Sequence, residues 1–142
     1  MRKTKFLVCL LVVLTAFLLV ACTNNKTYTI SFETNGGEKI ESVVIEGDGT
    51  LQAPAEPKKE GHKFLGWFLD EACEQPVTDF SALKFEADTT LYAKWQINTY
   101  TVTFNTVGGS AVDNQTVEHG KAVAIPANPT KEGYEFAGWY LK

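Results

Sequence analysis

The sequence predicts an α+β, mainly β protein made of tandem small repeat modules, the second of them incomplete. Three observations carry this reading. Laid on itself at an offset of 72, the chain aligns Tyr28–Asp70 with Tyr100–Lys142 over 43 residues without a gap, and 17 of the pairs are identical. Self-similarity at a fixed spacing marks an array of similar units. Within each unit, aromatic and β-branched residues alternate with polar ones in short runs bounded by glycines and prolines, which is the pattern of half-buried strands. No stretch carries the 3.6-residue periodicity of a long amphipathic helix.

The elements follow in chain order. Residues 1–21 are organised as a secretory signal peptide: a positive start at Met1–Lys5, then a 15-residue apolar run, Phe6–Val20, broken only by Thr15. Leu19-Val20-Ala21-Cys22 resembles the bacterial lipobox, which implies cleavage between Ala21 and Cys22 and lipidation, with palmitate among the acyl groups, at Cys22. The alternative is a single N-terminal membrane anchor, for which the 17 residues of Phe6–Cys22 lie at the lower limit of spanning length. Each buried methylene contributes about 0.8 kcal/mol, so two or three acyl chains hold a protein on a bilayer for good. The expected location is the bacterial cell surface, lipid-anchored to the outer face of a membrane. Residues 22–27 form the lipidated tether, whose polar stretch Thr23–Thr27 reaches about 17 Å at most at roughly 3.3 Å per residue.

The exported part is acidic. Removing Arg2, Lys3 and Lys5 with the signal leaves 10 of the 13 Lys/Arg against all 17 Asp/Glu, so the formal net charge moves from −4 to −7. An acidic body with no cluster of cations is a poor polyanion binder, and no nucleic-acid partner is expected. Of the three cysteines, Cys9 leaves with the signal and Cys22 is consumed by lipid. Cys73 is then alone, cannot form an intramolecular disulfide, and sits among acids without a neighbouring histidine, so no nucleophilic role is expected.

The first unit, residues 28–96, opens on Tyr28–Phe32, a strand with Tyr28, Ile30 and Phe32 on one face. Gly36-Gly37 supplies the turn, and Ile40–Ile45 returns as the second strand of a hairpin. A loop bounded by Pro54 and Pro57 cannot be a central strand, because proline has no N–H to donate. His62–Phe68 is an aromatic-rich strand whose Gly66, between Phe64 and Trp67, permits a bulge or a close backbone approach. A helical turn within Asp79–Phe85 precedes the last strand, Leu91–Trp95, in which Leu91, Ala93 and Trp95 share a face. The second unit, residues 97–142, repeats the plan with Tyr100–Phe104, Gly108-Gly109, Val112–Val117, Pro126, Pro129 and an aromatic strand Tyr134–Tyr140 containing Phe136, Gly138 and Trp139. It stops before anything matching residues 71–96. This is expected to leave an unpaired sheet edge and to expose part of the face bearing Phe104, Phe136 and Trp139. Three readings stay open: a fragment of a longer array, docking of the partial unit on the first, or acceptance of a strand from another chain.

Phe32…Gly36-Gly37, Pro54…Pro57-x-Lys59-x-Gly61, Phe64-x-Gly66-Trp67 and Thr90-Leu91-Tyr92-Ala93-Lys94-Trp95 together resemble the Listeria-Bacteroides repeat, the B-repeat of internalin B. The resemblance covers residues 26–96 as one full copy and 98–142 as the first part of another. It implies a β-grasp-like module of about 70 residues, found in tandem on bacterial surface proteins, many of them adhesins. It brings no catalytic residues.

Chemistry-bearing motifs are correspondingly scarce. His62 and His119 align with Tyr134 and Gly47, so no ligand recurs in both units and both read as surface histidines rather than metal ligands. Asp70, Glu71, Glu74 and Asp79 lack a calcium-loop spacing and read as a solvated loop. No metal, cofactor or enzymatic activity is expected. Trp67, Trp95 and Trp139 read as core, whereas Phe68, Tyr92 and Tyr140 are the candidate exposed, ligand-binding aromatics. Two functions remain: a surface module for adhesion or protein–protein interaction, and a carbohydrate- or peptide-capturing lipoprotein at the membrane. The partners are accordingly the membrane, through the lipid, and a protein or glycan.

Overall fold

The structure, a computed structural model, describes residues 26–141. The signal segment, the lipidation position Cys22 with Ala21 before it, and all of the tether except Lys26 and Thr27 lie outside the described residues. What is described is mainly β, with a single three-residue 3₁₀ turn as its helical content.

Strands β1 (Thr27–Glu33), β2 (Val43–Glu46), β3 (His62–Phe68) and β4 (Thr89–Ile97) form one sheet in the order β2-β1-β4-β3. β1 is antiparallel to β2 and parallel to β4, and β3 is antiparallel to β4. The last strand in sequence is thus a central strand in space. Its core-face residues Leu91 and Ala93 are both buried, at 0% and 1% exposure, and pairing with β1 on one side and β3 on the other satisfies its backbone. β2 is shorter than the sequence pattern suggests. It begins at Val43 rather than Ile40, since only Val43–Glu46 lie opposite Thr27–Ile30.

One face of the sheet carries the core, formed by Ile30, Phe32, Ile45, Leu51, Trp67, Leu91 and Ala93. The connection between β3 and β4 covers it, with Val77, Phe80, Leu83 and Phe85 packed against the cluster. Its 3₁₀ turn spans Phe80–Ala82 and is capped by Asp79, whose carboxylate accepts from the Ser81 N–H at 2.9 Å and the Ser81 hydroxyl at 2.6 Å. Phe64 and Trp67 both reach the core face although three residues apart. The register shifts between Phe64 and Gly66, with Gly66 at φ 132°, a bulge that the glycine makes possible. Trp67 meets Phe32 and Phe64 edge-on, with ring centroids 5.1 and 5.6 Å apart. Trp95, half-buried, donates its indole N–H to the Thr34 carbonyl at 2.8 Å and lies across Gly37, where any Cβ would collide with the ring.

The second module reproduces the first as far as its partners allow. β5 (Thr99–Val102) and β6 (Gln115–Glu118) pair in the register of β1 and β2 moved by 72, Tyr100 opposite Val117 as Tyr28 is opposite Ile45. The glycine turns are superposable in their bonds: Gly37 and Gly109 each donate to the threonine three residues back at 3.0 Å. In both, the threonine hydroxyl returns a bond at 3.1 Å. The Lys59 ammonium donates to the Asn35 carbonyl at 2.8 Å and that of Lys131 to the Val107 carbonyl at 3.0 Å.

Two expected strand segments are absent from this module, and both absences have one cause. β1 continues through Ser31–Glu33 where it faces β4, but Thr103–Asn105 is irregular. Tyr134–Tyr140, the equivalent of β3, is not a strand either. In the first module β4 is the strand that pairs with both stretches, and no described segment takes that place in the second. A strand without a neighbour has nothing to hold its backbone extended.

The modules meet at Asn98, the single residue between β4 and β5. Its N–H donates to the Gly61 carbonyl and its carbonyl accepts from the His119 N–H, both at 2.8 Å. His119, expected as a surface residue, is half-buried, with its ring against Gly61 and Nδ1 3.5 Å from the Tyr100 hydroxyl.

Candidate interaction surface

The aromatics singled out by sequence fall in two places. Phe68 and Tyr92 face each other across β3 and β4, but their side of the sheet is not open. The expectation of an exposed Phe68 is corrected: it is only 9% exposed. The loop after β3 folds back over it. Leu69 N–H donates to the Gln75 carbonyl and Val77 N–H to the Trp67 carbonyl. Lys94 completes the cover, with its ammonium 5.0 Å from the Phe68 ring centre while donating to the Cys73 carbonyl at 3.0 Å. The loop is held closed by Asp70, whose carboxylate accepts from the N–H of Glu74 at 3.0 Å and of Gln75 at 2.7 Å. Those two backbone donors hold its carboxyl below the ordinary 3.8. The Ser81 hydroxyl and N–H lower Asp79 in the same way. The acidic stretch is therefore built for backbone capping, and among the described residues no group of three or more His, Cys, Asp or Glu side chains converges as metal ligands. Cys73 is buried within this loop. Tyr92 is half-buried.

Tyr140 belongs to the second module and is 82% exposed. It lies beside an apolar groove. Phe104 and Phe136 pack edge-on against Trp139 with ring centroids 5.1 and 5.3 Å apart, as Phe32 and Phe64 do on Trp67. Here, however, the cluster is open. Phe136 is exposed, and Phe104 and Trp139 are half-buried. The Trp139 indole nitrogen is out of solvent with no described hydrogen-bond partner. A groove of about 750 Å³ runs along these residues, floored by Val102, Phe104, Phe136 and Trp139 and rimmed by Tyr140. A smaller recess of about 300 Å³ adjoins it at Thr106, Gly109, Lys131 and Tyr134. The Lys131 ammonium stands 4.4 Å from the Tyr134 ring centre.

The sequence reading anticipated exposure on the Phe104, Phe136 and Trp139 face. It passed over Tyr134, which aligns with a histidine in the first unit, and the junction role of His119, which aligns with Gly47. The signal for His119 was present in the same offset, because a bulky ring replacing glycine between two modules has to rest on something.

A β module whose core aromatics recur at an offset of 72 belongs to the class of tandem repeat proteins. The chain belongs to the Listeria-Bacteroides repeat domain family, which matches it at residues 28–94 and 100–142. It is similar to a protein named as a membrane protein in Evansella cellulosilytica, 46% identical over 113 residues, covering 80% of this chain and 17% of the relative. A second protein of that organism, named as a Gly-rich membrane protein, is 43% identical over 113 residues, covering 80% of this chain and 13% of its own length. Internalin H of Listeria monocytogenes is 38% identical over 116 residues, covering 81% of this chain and 20% of its own length. The chain thus spans no more than a fifth of each of these relatives.

Proposed function

We propose that the chain is a lipid-anchored bacterial surface protein whose β-grasp-like modules act in adhesion or protein–protein interaction and not in catalysis. The observation that carries this is the tandem repetition itself: the Listeria-Bacteroides repeat matches residues 28–94 and again 100–142. Repeated modules gain avidity and reach with each added copy, which serves contact with another macromolecule. The β-grasp reading is supported by the β2-β1-β4-β3 order with its central parallel pair, and by Val77, Phe80, Leu83 and Phe85 standing against the core where a helix is usual. The repeat family, and relatives named as membrane proteins and as an internalin, support a cell-envelope setting. Lipid attachment rests on Leu19–Cys22 following the Phe6–Val20 run. The junction at Asn98 supports modules held in a fixed relation, the arrangement that lets an array gain reach and avidity.

The test is direct. Beads coated with the purified chain are offered cultured cells, immobilised cell-surface proteins and a glycan array. Binding to cells and protein, lost with Tyr140→Ser and Phe136→Ser, supports the proposal. Binding to glycans alone points to carbohydrate capture and overturns it. Lipidation is read separately, by incorporation of an alkyne palmitate analogue that Cys22→Ala abolishes.

A further inference from the structure

We infer that the first module is a tension-bearing link: stretched through the chain that enters at Thr27 and leaves at Asn98, it loads β1 against β4 in shear, so that the bonds between these two strands must yield together. The source of the load rests on the interaction reading, since an anchored chain that grips a partner is pulled between the two.

Strand order sets the geometry. β1 and β4 are neighbours and run parallel, Ile30–Glu33 beside Thr89–Tyr92. The chain therefore enters at the start of β1 and leaves from the end of β4, at opposite ends of the sheet. Thr27 lies three residues before Ile30, and Ile97 lies eight residues beyond Thr89, the partner of Ile30. At about 3.3 Å per residue the two points stand roughly 36 Å apart along the strands and, on adjacent strands, only about 4.8 Å apart across them. The line of pull thus falls within about 10° of the strand axis. Ladder bonds bridge the strands, so a pull along the axis strains them as a set, whereas a pull across it opens them one pair at a time. Had β4 run antiparallel to β1, entry and exit would share one end of the sheet and tension would unzip the module.

Side chains extend the clamp beyond both ends of this ladder. The Asp88 carboxylate, just before β4, accepts from the Thr29 N–H at 2.8 Å. Past the other end, the Asn35 amide donates to the Ala93 carbonyl and the Trp95 indole to the Thr34 carbonyl, each at 2.8 Å. Ile30, Phe32, Leu91 and Ala93 share one buried cluster, so sliding β4 past β1 breaks the core as well. Both ports are pinned: the Lys26 carbonyl accepts from the Gly47 N–H at 2.7 Å, and the Asn98 N–H donates to the Gly61 carbonyl at 2.8 Å. The edge hairpin offers the opposite geometry in the same molecule. Thr27 and Glu46 face each other at the open end of β1 and β2, and a pull applied there peels β2 away pair by pair.

The experiment stretches the 142-residue chain, in mild detergent, in optical tweezers. DNA handles are joined through azide-bearing residues substituted at the exposed positions Lys26 and Thr99, and in a second preparation at Lys26 and Glu46. At one loading rate the first is expected to yield at a force at least about twofold higher, because several ladder bonds fail together instead of singly. It should release in one step of about 210 Å, which is 71 residues at roughly 3.5 Å each less the folded span. Asp88→Ala and Asn35→Val each remove one cross-link from an exposed side chain; valine stands at the counterpart position 107 with a matching φ, 52° against 49°. Held at constant force, each variant is expected to shorten the lifetime of the first geometry about fivefold, the loss of one hydrogen bond, and to leave the second unchanged. Equal forces in the two geometries, release in smaller steps at low force, or the same loss in both geometries would each overturn the inference. If beads adhere to cells while the two forces are equal, the tension-bearing role falls alone; if the clamp holds while adhesion fails, the proposed function falls and the clamp stands.

Discussion

Replacing Gly61 by alanine probes the packing that joins the two modules. Gly61 has φ 66° and Gly133, its counterpart, φ 74°. Alanine at either position is held in the left-handed region, at a cost of about 1–2 kcal/mol. The two sites differ in one respect. A Cβ at Gly133 meets nothing within 4 Å, whereas at Gly61 it runs into the His119 ring. Forcing a side chain into an occupied space costs a further 1–3 kcal/mol or so. Gly133→Ala is therefore expected to lose about 1–2 kcal/mol and Gly61→Ala roughly 2–5 kcal/mol in urea unfolding. The excess should disappear in Gly61→Ala with His119→Gly, which restores the residue found at position 47. Residual dipolar couplings on the same samples should show the modules reoriented in Gly61→Ala and released in the double variant. A coupling energy between positions 61 and 119 within about 0.5 kcal/mol of zero would refute the argument, because residues out of contact behave additively at that level.

Phe68→Ala is expected to cost about 3–5 kcal/mol in denaturant unfolding, as truncation of a buried aromatic does; an unchanged midpoint with lost ligand binding would return Phe68 to the surface. Trp95→Phe keeps a ring on Gly37 but removes the donor to Thr34, whose carbonyl still accepts from Gly37. It is expected to lose about 0.5–1.5 kcal/mol for that bond, and a larger loss would mean the ring contact was disrupted as well. Asp70→Asn should lower the melting temperature near neutral pH. The Asp70 carboxyl is depressed below 3.8 in the folded chain, so its contribution is complete above the unfolded value of about 3.9 and is lost as the pH falls through the folded one. The difference between wild type and variant should accordingly close in acid, and a deficit independent of pH would show that charge plays no part.

The repeat and its local devices were legible in the chain alone. Thr34-x-Gly36-Gly37 and Thr106-x-Gly108-Gly109 make the same turn with the same bonds in two settings, because glycine conformation, a threonine hydroxyl and a backbone reversal act over a few residues. The core face of β1, with Ile30 and Phe32 buried, followed from alternation, and a bulge at Gly66 was one of the two uses open to a glycine set between aromatics. The exposure of Phe104, Phe136 and Trp139 was foreseeable by subtraction, since the residues that cover their counterparts have no match in the second unit.

Other features were settled only by long-range packing. Nothing in Leu91–Trp95 states that this strand enters the middle of the sheet parallel to β1; that follows from which edges remain unpaired once β1, β2 and β3 have formed. Phe68 alternates to the outer face as its position requires, yet a loop fixed by Asp70 and a lysine from β4 close over it. Tyr134–Tyr140 has a strand's composition without a strand's conformation. The sequence by itself determined turns, faces and the repeat, because these depend on neighbours a few residues away. Strand or coil, and core or groove, were decided by the tertiary structure, because an extended backbone and an aromatic face are both completed by whatever chain lies beside them.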